Sequence, residues 1–238
     1  MSARSIHERL AELDWKQLEG SLWELGYAKT HPLLTANECE NLIGLYGDDR
    51  RFRSRVDMER YRFGRGDYAY FAHPLPRVAH ELRTHAYRHL VPIANRWQEA
   101  LGREPSYPPN LQGFLDRCHA SGQKRPTPLL LHYEAQGYNC LHQDLYGDLA
   151  FPLQITAVLS RAGVDYGGGE FLLLEQRPRA QSRGEAMSVA QGELMIFPCA
   201  ERPAQGKRGM LRLNMRHGVS RIVWGSRYAL GIIFHDAR

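Results

Sequence analysis

The sequence has little cysteine, no long apolar run and no repetition. Its 238 residues hold four cysteines, Cys39, Cys118, Cys140 and Cys199, far apart and with no C-x-x-C pair. That pattern excludes a disulfide framework and a cysteine zinc cage, and makes a reducing, cytoplasmic setting the expectation. No stretch approaches the ~18 apolar residues of a membrane span. The N-terminal MSARSIHERLAELDWKQ holds no apolar signal core. No internal repeat and no low-complexity tract occurs.

Strong charge of one sign is missing too. Lys and Arg total 31 against 26 Asp and Glu, a formal net charge of +5. A mildly basic chain permits a polyanionic partner without requiring one. What is present is apolar content of 43%, ample for the core of one domain, or of one domain with an extension.

The first half reads as helical. LDWKQLEGSLWEL (13–25) spaces its apolar residues for a helix, and Gly26 stops it. YAKTHPLL (27–34) reads as extended. Thr35 with Glu38 forms a capping-box signature ahead of CENLIGLYG. RVAHELRTHAYRHLVPIANRWQEAL (77–101) predicts a long helix kinked near Pro92, and NLQGFLDRCHA (110–120) a short one. From about residue 128 short apolar runs alternate with Gly and Pro turns: TPLLLHYEA, LAFPLQITAVLS, GGGEFLLLEQ, GELMIFP, MLRLNMRHGVSRI and RYALGIIF. That is the signature of an all-β sandwich or barrel. The expectation is an α+β chain forming one structural unit. A mainly helical region, 1–127, would pack on a β core, 128–238.

YNCLHQDLYGD (138–148) sets His142 and Asp144 two positions apart. With 11 His and 10 Asp, an H-x-D pair arises by chance in roughly every second chain of this composition, so it needs company. MLRLNMRHGVSRI (210–222) supplies some. In a strand, Leu211, Leu213, Met215, His217 and Val219 share one face, with Arg212, Asn214, Arg216 and Ser220 on the other. His217 thus belongs to the interior set, where an imidazole needs a partner or a metal. A core histidine bonded to a carbonyl is the plain alternative.

Arg227 follows ten residues later, after a Trp-Gly-Ser turn, and shares a strand face with Ala229, Gly231 and Ile233. The small residues leave room beside the guanidinium, which suits an anionic ligand held by a bidentate fork. The alternative is a surface arginine paired with an acid. Upstream, Leu129, Leu131 and Tyr133 form one face of another strand. Two histidines and a carboxylate make a facial triad that leaves positions open on a non-haem Fe(II). Zinc accepts the same ligands but would not explain the placement of Arg227.

This order of H-x-D, distal His and then Arg resembles the 2-oxoglutarate- and Fe(II)-dependent dioxygenases, over roughly residues 128–236. Tyr133 stands nine residues before His142, where prolyl-4-hydroxylase-like and AlkB-like members often have a tyrosine that contacts 2-oxoglutarate. GGGEF (167–171) is similar to the family's Gly-Gly-Glu turn, and GELMIFP (192–198) to its G-x-x-x-x-F-x strand. The resemblance implies a double-stranded β-helix, or jelly roll. It implies Fe(II) held by His142, Asp144 and His217, and 2-oxoglutarate held by Arg227 and Tyr133. The reaction implied is hydroxylation of a substrate C–H by O2, with release of succinate and CO2.

RRFRSRVDMERYRFGRGDYAYF (50–71) interleaves seven arginines with six aromatic residues. Cations for phosphates and rings for stacking are what a single-stranded or flipped-base site uses. Arg53, Arg55, Tyr68 and Tyr70 are therefore candidate substrate contacts. The alternative is a helix and loop whose rings pack on the core and whose arginines are solvated. The whole chain resembles a bacterial group of these oxygenases proposed to act on damaged nucleic acid. One departure counts against that substrate: AlkB-type demethylases carry a second arginine six residues after the first, where Ile233 stands here. In that feature the strand is closer to the prolyl hydroxylases. Three readings follow: oxidative demethylation of alkylated nucleic acid, hydroxylation of a protein or amino-acid side chain, and an inactive jelly roll that binds nucleic acid. The complete ligand set with Arg227 speaks against the third.

Overall fold

The computed structural model describes residues 4–238. The N-terminal part runs α1 (Ile6–Ala11), α2 (Trp15–Glu24), β1 (Ala28–Pro32), α3 (Ala36–Gly44), β2 (Phe52–Asp57), α4 (Met58–Tyr61), β3 (Gly64–Arg65) and β4 (Asp67–Phe71). Two helices follow, α5 (Arg77–Ala100) and α6 (Leu111–Ala120). The remainder is strands: β5 (Leu129–Glu134), β6 (Tyr138–His142), β7 (Leu153–Val158), β8 (Tyr166–Gly168), β9 (Phe171–Gln176), β10 (Arg183–Met187), β11 (Glu193–Pro198), β12 (Glu201–Gly206), β13 (Gly209–Val219) and β14 (Ile222–Ile233).

The strands form two antiparallel sheets. The major sheet orders β1-β11-β7-β14-β5-β4-β2, with β8 pairing β14; the minor orders β10-β9-β13-β6-β3, with β12 pairing β13. Strand period two sorts the residues of the major sheet. Leu153, Ile155 and Ala157 of β7, with Leu230 and Ile232 of β14, share one core with Leu10, Leu22, Leu42, Tyr87, Leu90 and Trp97 of the helices. Residues of opposite parity, among them Tyr133, Val158 and Met195, join Phe171, Leu173, Leu213 and Met215 of the minor sheet in a second core. The architecture is a two-sheet jelly roll with helices on the outer face of its major sheet.

The capping box forms as read: Glu38 N–H donates to the Thr35 hydroxyl at 3.2 Å, and Thr35 N–H donates to the Glu38 carboxylate at 2.8 Å. The helix expected over 77–101 is one continuous element that contains Pro92. The N-terminal half carries more strand than its sequence suggested. Segment 50–71 folds as β2, α4, β3 and β4, and β2 and β4 extend the major sheet beyond β5. These strands were hidden because β2 holds only Phe52 and Val56 as apolar residues and β4 is only five residues long.

α5 is fastened to the sheet by a buried ion pair. Arg83 donates to Asp236 at 2.7 Å, to Ile233 O at 2.9 Å and to Phe234 O at 3.0 Å, and neither charged side chain exceeds 2% exposure. His119 of α6 meets the other oxygen of Asp236 at 2.9 Å. The helices and the end of β14 are thereby held in one position behind the cavity.

Candidate active site

β6 and β13 pair in antiparallel register, with His217 directly opposite His142. Directly opposite residues share a face, so both imidazoles project into the sandwich, their ring centroids 4.2 Å apart. Asp144 follows β6, and its N–H donates to Cys199 O at 3.2 Å, which holds the chain against the end of β11. One carboxylate oxygen of Asp144 lies 3.0 Å from His217 Nε2, and the other 3.6 Å from His142 Nε2. One ligand atom from each residue lies within 4.8 Å of the other two. Residues 75 apart in sequence are thus brought into one constellation suited to a metal ion.

Local partners fix each group. His142 Nδ1 sits 2.8 Å from Cys140 O; donating there keeps the proton on Nδ1 and leaves Nε2 bare. Phe197 tilts against the His217 ring at 4.7 Å, and Phe171 lies parallel to it at 6.1 Å. The Tyr146 hydroxyl donates to Asp144 Oδ1 at 2.6 Å. Burial pushes the Asp144 carboxyl up, but the charge and hydrogen bond of His217, with help from His142 and Tyr146, win and hold it far below the usual carboxylate range. Burial and the neighbouring His217 lower the basicity of His142. Asp144 is thus held as an anion and His142 as an imidazole with a bare Nε2, both forms that bind cations.

The cluster opens on a cavity of about 330 Å³. Arg227 lies on its wall, beside Ala229, Gly231 and Ile233 of the same strand face. The guanidinium is 2% exposed and Nε has no partner; no carboxylate meets this side chain among the described residues. A buried cation in that state is costly unless an anion joins it. Tyr133 stands directly opposite Arg227 across the β5–β14 pair, and its hydroxyl accepts from Asn139 Nδ2 at 3.2 Å. Burial raises the Tyr133 hydroxyl to about 12, so it remains a neutral donor.

The two glycine-rich motifs have structural reasons. A Cβ on Gly169, at φ 68°, would lie 2.9 Å from Arg227 Cδ and 2.4 Å from Ile222 Cδ1, so the turn between β8 and β9 gives the arginine its space. GELMIFP forms β11 and delivers Phe197 to the His217 ring.

The proposed substrate residues divide. Tyr68 lines the cavity. Tyr70 stands edge-on to both Tyr68 and Tyr146, continuing an aromatic row that ends at Asp144. Arg53 lies behind that row, its Cζ 4.4 Å from the Tyr70 ring centroid and its Nε donating to Pro126 O at 2.8 Å. Arg55 lies apart from the cavity. It pairs with Ala69 in register, so it points to the other face of the sheet. There it meets Asp49 at 3.0 Å and Asp67 at 3.3 Å, stacked over Tyr46. Arg53 and Arg55 stand two apart, which in a regular strand gives one face. The register shift between Phe52 and Ser54 breaks that period and sends them to opposite faces, and residue type alone does not show a bulge. Sequence reasoning assigned no role to Tyr146 or Asn139 and, within the Arg- and aromatic-rich segment 50–71, did not single out Arg62 or Phe63; all four line the cavity. For Tyr146 the available signal was its place two residues after Asp144, in the pattern H-x-D-x-Y.

Comparison with known proteins gives the following. A family model described as an oxygenase catalysing oxidative methylation of damaged DNA, Oxygenase-NA, matches residues 66–237. An uncharacterised protein of Mycobacterium tuberculosis is 52% identical over 167 residues, covering 70% of this chain and 72% of its own. A prolyl-4-hydroxylase of Pseudomonas putida superposes with TM-score 0.52 at 11% identity, over 94% of this chain and 99% of that one. A prolyl hydroxylase from Trichoplax adhaerens, solved with a peptide fragment of hypoxia inducible factor, gives TM-score 0.53 at 12% identity, over 99% and 94%. At such identities the two structures share the fold with this chain.

Proposed function

This chain belongs to the Oxygenase-NA family, and from that premise we propose that it is an Fe(II)- and 2-oxoglutarate-dependent dioxygenase that hydroxylates a methyl C–H on a damaged nucleic-acid base. One observation carries the reading: a single cavity holds both the His142, Asp144 and His217 cluster and the buried, unpaired guanidinium of Arg227. Two imidazoles and a carboxylate suit Fe(II) and leave coordination positions for a bidentate cosubstrate and O2. Arg227 would hold the far carboxylate of 2-oxoglutarate through two parallel donors, and Tyr133 would add a neutral hydrogen bond. When bound, iron with 2-oxoglutarate and O2 supplies the oxidising power that turns C–H into C–OH, with succinate and CO2 as co-products.

The chain's own residues orient and shield. The Cys140 carbonyl and the Tyr146 hydroxyl set the directions of His142 and Asp144. Leu131, Phe171, Phe197 and Val219 wall the cavity with apolar surface. Hydroxylation of an N-methyl group gives an N-hydroxymethyl base. Its C–N bond then breaks, the hydroxyl proton passes to the ring nitrogen, and formaldehyde leaves with the base restored. The supporting experiment incubates the protein with Fe(II), 2-oxoglutarate and a single-stranded oligonucleotide carrying one N-methylated base. Succinate and formaldehyde should form in equal amounts, dependent on both Fe(II) and 2-oxoglutarate.

A second reading has its own observation. Ile233, 2% exposed, lines the cavity where AlkB-type enzymes carry a second arginine. An apolar wall there favours hydroxylation of a protein or amino-acid side chain. Parallel assays with peptides and free amino acids, following mass gains of one oxygen, separate the two.

A further inference from the structure

Tyr61 and Phe63 are a stacked aromatic pair that the fold leaves in water. Their exposures are 52% and 47%, and their rings lie 5.6 Å apart at an interplanar angle of 20°. Exposed aromatic surface gathered at one place marks an interaction site more often than scattered apolar residues do. This pair has a definite location. Phe63 and its neighbour Arg62 line the cavity that holds His142, Asp144 and His217.

The backbone pins the pair there. Cys140 N–H donates to Phe63 O at 2.8 Å, and Gly64 and Arg65 pair with Asn139 and Tyr138 of β6. β6 is the strand that ends in His142, so the platform is tied to the metal cluster through one strand. A Cβ on Gly64, at φ 145°, would lie 2.3 Å from Tyr138 O, so only glycine permits this approach. Arg62 takes a left-handed conformation, φ 60°, that arginine rarely adopts. Strain of this kind persists where the surrounding structure over-determines it, and it concentrates at functional sites.

The charges beside the rings identify the occupant. Arg65 meets Glu59 at 3.4 Å, but Arg60 and Arg62 have no carboxylate partner among the described residues. The Arg60 guanidinium lies 5.7 Å from the Tyr61 ring centroid. Flat rings with unneutralised guanidinium groups fit a strand that offers bases and phosphates in alternation. We propose that Tyr61, Phe63, Arg60 and Arg62 form the platform on which a single-stranded nucleic acid stacks a base beside the one that enters the cavity. The proposal rests on the nucleic-acid reading above and adds the residues that would grip the strand. Stacking tolerates any base, so the platform supplies affinity, and the cavity supplies the choice of target.

The test measures fluorescence anisotropy of a labelled single-stranded oligonucleotide carrying one N-methylated base. The protein is loaded with Mn(II) and 2-oxoglutarate. Phe63→Ala and Tyr61→Ala should each weaken binding by about fivefold to 150-fold, the range for one lost base–aromatic stack. Phe63→Trp should keep wild-type affinity, because an indole stacks as well as a phenyl ring. Arg62→Gln should flatten the salt dependence of binding. Wild-type melting temperatures in the alanine variants would exclude a folding defect as the cause. If the wild-type protein oxidises the oligonucleotide and both alanine variants bind it as tightly as wild type, the platform is wrong and the nucleic-acid reading stands. If the wild-type protein ignores the oligonucleotide and hydroxylates a peptide, the substrate reading falls and the platform with it.

Discussion

The Tyr146 hydroxyl donates to Oδ1 of Asp144 at 2.6 Å, while His217 Nε2 lies 3.0 Å from Oδ2 of the same carboxylate. One oxygen is held by a neutral donor, and the other is turned toward the imidazole that shares the cluster. Burial and the nearby Asp144 charge push the Tyr146 hydroxyl well above its usual range, so it stays protonated and stays a donor. Partners of this kind orient a ligand and tune its affinity for metal. Tyr146→Phe should weaken Fe(II) or Co(II) binding by about tenfold to 100-fold in a chelator competition, with little change in melting temperature. Wild-type metal affinity in that variant would show that the carboxylate needs no such support.

Arg227 is buried without an anion, and Tyr133 stands opposite it. A lysine offers one point charge in place of two parallel donors. Losing a charge-assisted contact costs about 1.5–3 kcal/mol, or roughly tenfold to 150-fold in affinity. Arg227→Lys should raise the 2-oxoglutarate requirement by at least about tenfold while metal binding holds. Tyr133→Phe should do so more mildly. Unchanged 2-oxoglutarate dependence in Arg227→Lys would place the cosubstrate elsewhere.

Gly169 makes the space that Arg227 occupies. Gly169→Ala would set a methyl group 2.9 Å from Arg227 Cδ, at a backbone φ of 68°. Two effects should follow. Stability should fall by more than about 1 kcal/mol in urea unfolding, because alanine resists a positive φ. The 2-oxoglutarate requirement should rise while metal affinity stays near wild type. A variant with wild-type cosubstrate affinity would mean that the guanidinium position is not set by this turn.

The Arg83–Asp236 pair holds α5 to the end of β14. Removing one member of a buried pair leaves the other charge uncompensated, at a cost of about 3–5 kcal/mol. Arg83→Ala should therefore lower Tm by roughly 6–20 °C in a calorimetric scan, at about 2–4 °C per kcal/mol for a chain of this length. A fall of a degree or two would show that His119 alone satisfies Asp236.

The parts of the fold that the sequence revealed are those with a clean period. β13 alternates apolar and polar residues, which assigned His217 to an interior face; β14 lacks that alternation, and Arg227 was singled out by the small residues that share its face. The pairing of His217 with His142 was not legible, since register depends on contacts between residues 75 apart. β10 and β12 escaped notice because their sequences are largely polar or interrupted by Pro and Gly. The segment 50–71 concealed β2, which has only two apolar residues, and β4, which is only five residues long. Arg53 and Arg55 looked alike as sequence, yet Arg55 faces Tyr46 and two aspartates on the far side of the sheet. Chemistry-bearing residue types were readable; which side of a strand each one served was readable only where the opposite face was uniformly different.

The most direct test of the central claim is an anaerobic titration of the purified protein with Fe(II) and then 2-oxoglutarate, followed by visible absorption. A 2-oxo acid chelated to Fe(II) absorbs in the visible by charge transfer, so the signal requires metal and cosubstrate in the same site. The wild-type protein should develop this absorption and saturate at one iron and one 2-oxoglutarate per chain. His217→Ala should abolish it, and Arg227→Lys should shift it to at least about tenfold higher 2-oxoglutarate. A wild-type protein that binds Fe(II) but shows no absorption change with 2-oxoglutarate would contradict the shared site on which the proposed chemistry depends.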